Sequence, residues 1–295
     1  TTAIVSNAAF IIQDRISYLS QETGYPEQDI FIFNVMMFGQ DTSPSQQYEL
    51  DEAMLRQIPG VVDAAYSSTT PLSGSGSSSD FSLKPAPQES KSARSSYMFI
   101  DEHGINTYGV NLIAGRNYSE DEVIVTENYD ELSKVIVVSK SLSDELFPDG
   151  NGLGQSIYFG DIPLKIIGIV DVMKGPWLKD SRPDNVALIP FIKAGSNARF
   201  VVRTEPGQRQ SVMNRVEEAM LKNYNKRVIS RIRGLDEDKE QYMAEDTLMM
   251  RMLIVLITIL VLVTALGIFG LTLFNISKRT KQIGTRRALG ARKSA

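Results

Sequence analysis

Residues 252–276 read MLIVLITILVLVTALGIFGLTLFNI, twenty-five positions without a charge. As a helix rising 1.5 Å per residue the stretch is about 37 Å long, enough to cross a hydrocarbon core of about 30 Å with some tilt. Thr258, Thr264, Thr272 and Asn275 are its polar residues, and a threonine hydroxyl can bond back to a helix carbonyl. Soluble cores do not need uncharged runs of this length, so the reading is a transmembrane helix.

The flanks of the run have opposite signs. Asp236, Glu237, Asp238, Glu240, Glu245 and Asp246 precede it. Lys278, Arg279, Lys281, Arg286, Arg287, Arg292 and Lys293 follow it, with no acid among them. The last eighteen of the 295 residues therefore carry +7, and the rest, with 24 basic against 35 acidic residues, carries −11. Positive charge marks the cytoplasmic end of a span, so the C-terminal segment is expected inside and residues 1–251 outside. Gly267 and Gly270, with Thr264 before them, form a strip of small residues of the kind that lets a second transmembrane helix approach closely. The sequence opens on Thr1 and is expected to be part of a longer chain.

Composition excludes several chemistries. With no cysteine there is no disulfide scaffold, thiol nucleophile or Cys-ligated metal. One histidine, His103, makes a His-rich metal site improbable, and in Asp101-Glu102-His103-Gly104 it reads as a solvated turn residue. The acids at 236–240 lack the spacing of a calcium loop and read as a solvated helix face. Basic runs interleaved with aromatics are absent, which argues against nucleic acid. Gly152-Leu153-Gly154 has no following Lys-Ser/Thr and reads as a turn before a strand, and no GxxxxGK[ST] motif occurs anywhere. Trp177, beside Gly175-Pro176, fits a surface anchor or a core residue equally.

Ahead of the span two stretches share one rhythm. Ile30–Phe38 is rich in strand formers. Ser43-Pro44 then supplies a cap and a first-turn proline, Leu50, Met54 and Ile58 recur at helical spacing, and Val61–Tyr66 reads as a second strand. Phe200–Arg203, a helix with Val212, Val216 and Met220 in register, and Val228–Ile232 repeat the pattern. Two β-α-β units predict a ferredoxin-like layer. Between them Ser73–Ser79 (SGSGSSS) reads as flexible by composition. Short strand candidates follow at Phe81–Leu83, Tyr97–Ile100, Val123–Val125, Val135–Val138, Ile157–Phe159, Leu164–Val170 and Val186–Ile189.

The expected class is α+β: a porter-type ferredoxin-like subdomain (26–74 and 196–234) with an inserted β-rich subdomain (75–195). A stalk helix (235–251) then runs without a break into the span (252–276), followed by the basic segment (277–295). At the other end Val5, Ala8, Ile12, Ile16 and Leu19 recur at helical spacing, so residues 1–25 are expected to form an N-terminal stalk helix that pairs with the second stalk, with the end of a preceding transmembrane helix as the alternative reading.

After the span, KRTKQIGTRRALGARKSA resembles the segment that follows a transmembrane helix in MacB/FtsX-type ABC transporter permeases. The matching positions are Lys278, Arg279, Ile283, Gly284, Arg286, Arg287, Ala288, Leu289, Gly290 and Ala291. Gln282 stands where the family often has Glu, and Thr285 where it often has an aliphatic residue. Upstream, LSDELFPDGNGLGQSIYFGDIPLKIIGIV (142–170) is similar to the MacB-like periplasmic core signature, and Ile58-Pro59-Gly60-Val61 and Ala114-Gly115-Arg116-Asn117-Tyr118 match in kind. The resemblance implies a permease subunit of the bacterial inner membrane, not itself an enzyme and without a cofactor or metal. ATP would be used by a partner ABC ATPase subunit or a fused ATPase domain. Lys278, Arg279, Lys281, Ile283, Gly284, Arg286, Arg287, Leu289 and Gly290 would form the ATPase-coupling segment, with Gly267 and Gly270 as helix-packing positions. It further implies a homo- or heterodimer with a second permease, contact with membrane lipid, and a periplasmic adaptor and outer-membrane channel as partners. The work would be mechanotransmission driving efflux or export. The alternative is an FtsX-like or sensor-type regulator that signals to a periplasmic partner without transport.

Overall fold

The apolar run at 30–37 forms the strand on which the first layer is built. The computed structural model describes residues 2–39, 42–85, 90–127 and 131–289; elements are numbered in chain order. Strand β1 (Ile30–Met37) lies between β12 (Arg227–Gly234) and β11 (Asn197–Thr204), and β11 also pairs with β2 (Val61–Tyr66). All three pairings are antiparallel. Helix α2 (Pro44–Arg56) connects β1 to β2, and α5 (Arg209–Asn223) connects β11 to β12. The order β12-β1-β11-β2 with two crossing helices is the ferredoxin-like arrangement. Phe31, Phe33 and Phe200 are fully buried, with Phe33 and Phe200 ring centroids 5.6 Å apart.

The two helices answer their sequence patterns differently. Val212, Val216 and Met220 of α5 are fully buried, as their spacing predicts. On α2 the expected stripe is only partly the inward one: Leu50 is exposed, Met54 packs half-buried against the core and Ile58, just past the helix, is buried, while the inward face also carries Gln47, Tyr48, Asp51, Glu52 and Leu55. A carboxylate can sit there because Arg227 of β12 meets Asp51 in a two-pronged ion pair with both side chains fully buried. Gln47 Nε2 (2.9 Å) and Asn223 Nδ2 (2.8 Å) also donate to Asp51, so both oxygens are satisfied.

Between β2 and β11 the chain makes a second sheet. Strands β3 (Ser77–Ser82), β4 (Ser92–Ile100), β7 (Val135–Ser139), β8 (Ser156–Phe159), β9 (Ile162–Val170) and β10 (Val186–Lys193) pair in the order β4-β3-β8-β9-β7-β10. Strand β10 then pairs in parallel with β4, from Val186↔Ser96 to Pro190↔Ile100, so the ring of six closes. Closure removes the free edges that open sheets must protect. Strand β5 (Leu112–Gly115) adds to β9, and β6 (Ile124–Thr126) to the end of β10. In β10 every residue from Val186 to Ile192 is buried, which fits its unbroken apolar run. Ile136, Val138, Leu164, Ile166 and Ile189 fill the interior together with Phe99 and Phe191, whose rings lie 4.8 Å apart.

The serine-glycine stretch departs from its compositional reading. Ser77–Ser79 belong to β3 and pair with Tyr97, Ser96 and Ser95 of β4. Ahead of them Gly74 N donates to Pro176 O (2.8 Å) and Gly74 O accepts from Trp177 Nε1 (2.9 Å), so the stretch is fastened at both ends. Two short helices, α3 (Gly104–Tyr108) and α4 (Lys140–Leu146), fill the connections after β4 and β7.

The chain divides into two compact units, one spanning Gln21–Tyr242 and the other formed by the two ends. The expected unbroken stalk is interrupted. Helix α6 (Leu235–Tyr242) ends before Met243, and α7 runs from Ala244 to Ala288. The larger unit holds α6. Leu235 is buried, Arg209 grips Asp236 at 2.6 and 3.1 Å, and Lys239 reaches both Glu27 oxygens at 2.8 and 3.0 Å. In the smaller unit α1 (Thr2–Leu19) packs on α7, with an ion pair between Arg15 and Asp246. Ala8 is buried and Ile12 half-buried, but Ile16 is exposed, so the predicted stripe is only partly covered.

Candidate membrane-coupling helix

Helix α7 carries the positions singled out for the span and the basic segment up to Ala288; Leu289 follows its end, and Gly290, Ala291, Arg292 and Lys293 lie outside the described residues. It is 45 residues long, roughly 67 Å at 1.5 Å per residue. By length and composition it can cross a membrane, and none of its apolar window is buried by the rest of the chain. The threonines are satisfied within the helix: Thr258, Thr264 and Thr272 donate to the carbonyls of Ile254, Leu260 and Ile268 at 2.8, 2.7 and 2.8 Å. A Cβ added at Gly267 or Gly270 would meet nothing within 4 Å, so none of the described residues occupies the small-residue strip.

The segment after the span is the last three turns of the same helix. Nothing there stops it: Gly284 costs only about 1 kcal/mol relative to alanine, and Thr280 and Thr285 bond back to Ile276 and Lys281 at 2.9 Å each. The spacing of Arg279, Ile283, Arg286 and Arg287 puts them on one face, with Lys281 opposite and Lys278 and Gly284 at its two sides. All are exposed, as is Leu289 just past the end. Arg286 and Arg287 stand in the last turn and Glu245 and Asp246 in the first, so the charges complement the helix dipole. The arrangement offers a basic face around one aliphatic side chain, suited to an acidic protein surface or anionic headgroups.

Other titratable groups are placed where the sequence did not suggest. His103 is half-buried at the start of α3, and its Nδ1 lies 3.0 Å from Asp63 Oδ1. Asn106 Nδ2 donates to the other Asp63 oxygen at 2.6 Å. The hydrogen bond with Asp63 raises the His103 pKa against the opposing effect of partial burial. Burial works against the Asp63 carboxylate, but hydrogen bonds from His103 and Asn106 outweigh it and lower its pKa. Nearby, Glu52 and Asp101 are buried together. Burial and the adjacent carboxylate push Glu52 well up, and burial pushes Asp101 up to about 6 although Glu52 and the Tyr66 N–H (2.6 Å) bond to it. A charge inside an apolar strand, Asp63 in VVDAAY, was the available signal for such a partner. The acids at 236–240 are partly used, Asp236 by Arg209 and Asp238 by Arg233 (3.3 Å). Among the described residues no group of three or more His, Asp or Glu is placed to hold a metal ion.

Comparison with known proteins agrees with the resemblance in the sequence. The model of the MacB-like periplasmic core domain matches residues 3–219, and that of the FtsX-like permease C-terminal region matches 254–295. The macrolide export ATP-binding/permease protein MacB of Chromobacterium violaceum is 25% identical over 188 residues, 62% of this chain and 28% of that protein. Its counterpart in Aggregatibacter actinomycetemcomitans is 26% identical over 199 residues, 65% of this chain and 30% of that one. The chain thus spans less than a third of the length of these relatives. Among solved structures, the periplasmic region of MacB from Actinobacillus actinomycetemcomitans aligns with a TM-score of 0.43 and 16% identity, covering 76% of this chain and 97% of that one. The extracellular domain of the ABC-type transporter YknZ from Gram-positive bacteria aligns with a TM-score of 0.42 and 15% identity, covering 68% and 99%. With a periplasmic core match over most of its length and a permease match beginning inside α7, the chain belongs to the MacB/FtsX family of ABC transporter permeases.

Proposed function

We propose that the chain couples ATP binding and hydrolysis in the cytoplasm to movement of a periplasmic unit, with the ATPase supplied by another subunit or by another part of the same polypeptide. The observation that supports this reading is the continuity of α7 from Ala244 to Ala288. One helix contains both the apolar run and the basic face, so force applied at Arg279, Arg286 and Arg287 is carried along hydrogen-bonded backbone to the other end. By the positive-inside rule the basic end lies in the cytoplasm, and Gln21–Tyr242 lies in the periplasm of a cell with an inner membrane. The open strip at Gly267 and Gly270 suits a second permease, identical or related. Export is the form of work to which the relatives' names point, with an adaptor and outer-membrane channel completing the path.

The test is affinity capture of the full-length protein from native membranes, in wild-type form and with Arg286→Glu and Arg287→Glu. Recovery of an ABC ATPase, lost on charge reversal while the protein remains in the membrane, is the expected result. If the ATPase is fused, the same substitutions are expected to uncouple ATP hydrolysis from export. Unchanged ATPase recovery, or unchanged coupling in a fused protein, overturns the assignment of the basic face. Export that continues with the ATPase disabled rejects the transporter reading and leaves a regulator that signals across the membrane.

A further inference from the structure

Three guanidinium groups line one cavity of about 420 Å³ in the larger unit. Arg199 comes from β11, and Arg231 and Arg233 from β12, with Ile32 and Asn34 of the intervening β1 as the floor. The far wall is Thr70, Ser73 and Ser75 from the chain after β2, then Asp238, Gln241 and Tyr242 of α6. Three arginines against one aspartate leave a surplus of two positive charges. Arg199 uses Nε on Asn34 Oδ1 (3.0 Å) and Nη1 on Ser68 O (2.9 Å), and its Nη2 has no hydrogen bond among the described residues. Arg233 uses Nη1 on Asp238 and Gln241. Arg231 makes no hydrogen bond or ion pair with the described residues.

The backbone at Arg231 is the second observation. Its φ of +56° is in the left-handed region, which disfavours a side chain of this size. It sits in a β-bulge: Arg233 opposes Ile32 and Ser230 opposes Asn34, so Arg231 and Ile232 share the place of one residue. Bulges re-aim side chains, and this one sets Arg231 on the cavity beside Arg233. The fold thus keeps an exposed cation in a disfavoured conformation with no partner among the described residues.

We propose that this cavity binds a phosphate monoester carried on a small hydroxylated molecule or headgroup. A phosphate monoester carries close to two negative charges at neutral pH, which matches the surplus, and its oxygens suit forked guanidinium donors. The hydroxyls of Thr70 and Ser75 and the Nδ2 of Asn34 suit a polyol, whereas Ser73 Oγ already donates to Thr70 O (2.7 Å) and the Tyr242 hydroxyl is bonded to the Lys179 backbone; Ile32 is the one aliphatic side chain in the lining. The volume is within the range of small-molecule sites. A bound phosphate competes with Asp238 and Gln241 for Arg233, so its arrival bears directly on α6, which Met243 alone separates from α7 in the sequence.

The experiment is titration of the whole chain in detergent with glycerol 3-phosphate and with glycerol, read by calorimetry, beside Arg231→Gly and Arg199→Gln. Glycine adopts a positive φ freely, so Arg231→Gly removes the guanidinium while preserving the bulge, and its thermal midpoint is expected to be unchanged or raised. Expected are saturable binding of glycerol 3-phosphate with Kd below about 1 mM, none of glycerol, and at least a roughly tenfold loss in each variant. A parallel arm uses phosphatidylcholine nanodiscs with and without phosphatidic acid. Arg231-dependent stabilisation by phosphatidic acid identifies a lipid headgroup as the source, and binding of soluble glycerol 3-phosphate alone identifies a free phosphate ester. No saturable effect in either arm, or binding that Arg231→Gly leaves intact, overturns the proposal.

Discussion

In the unit spanning Gln21–Tyr242, charges are buried with the hydrocarbon; in α7 the hydrocarbon faces outward. Asp51 and Arg227 have no exposed side-chain surface, whereas Leu266 is 69% exposed and Leu271 67%. From Met252 to Ile276, fifteen large apolar side chains are exposed. Covering each is worth about 1.5–3 kcal/mol, which sums to an order of 20–40 kcal/mol and exceeds the whole stability of a typical domain, about 5–15 kcal/mol. The larger unit pairs its most deeply buried charges, Asp51 and Arg227, from within. Helix α7 requires lipid or other helices to cover its apolar side chains.

The contrast is broken most forcefully at the buried ion pair. Arg227→Met leaves Asp51 charged and enclosed, with only Gln47 and Asn223 to stabilise it. A loss of about 3–5 kcal/mol is expected, read as a lower urea midpoint for the larger unit in the detergent-solubilised chain. Adding Asp51→Leu removes the stranded charge and is expected to restore most of the loss. If the single substitution costs under about 1 kcal/mol, the interior is not as closed as its burial implies.

The buried acids give a pH dependence of definite sign. Asp101 is raised from its ordinary value to about 6, so the folded state holds a proton that the unfolded chain has released. Stability from this group is full below about pH 4 and is lost as pH rises through 6, by up to about 3 kcal/mol. Glu52, pushed up by burial and by Asp101 beside it, acts in the same direction. His103, raised by Asp63, also loses stability with rising pH, but above its ordinary range near 6.5, while the lowered Asp63 acts oppositely at the acid end. Denaturation between pH 4 and 8 is expected to show a decline that Glu52→Gln reduces from its acid end upward and His103→Gln reduces only near neutrality. A flat profile for the parent chain contradicts the buried acid pair.

These partners also mark where sequence reading stopped. The strands were legible because continuous or alternating apolar runs are local, and so was the ferredoxin-like layer, whose two β-α-β units are each continuous in sequence. The inward face of α2 was not. Of the apolar stripe Met54 and Ile58 turn inward and Leu50 does not, and nothing local to Asp51 announces Arg227, 176 residues on. His103 was misread for the same reason, since Asp63 lies 40 residues before it. Barrel closure rests on β10 beside β4, a pairing no periodicity encodes. At the candidate site the apolar run and the basic face were plain from spacing alone. The end of α6 before Met243 was not, because no glycine or proline marks it in the sequence.

The smallest effect sharpens the comparison from the other side. Gly267 and Gly270 stand in open space on α7, so Gly267→Ala with Gly270→Ala is expected to stabilise the isolated helix by about 1 kcal/mol per site and to leave the urea midpoint of the larger unit unchanged. A bulkier change separates the two environments open to α7. If a neighbouring helix uses the strip, Gly267→Leu with Gly270→Leu separates the backbones, and cross-linking between permease copies in native membranes falls while membrane insertion stays the same. If lipid covers the strip, cross-linking is unchanged, because a leucine exposed to acyl chains costs nothing there. Loss of cross-linking would give α7 a protein partner along one face, and the contrast with the larger unit would narrow to the remaining lipid-facing positions.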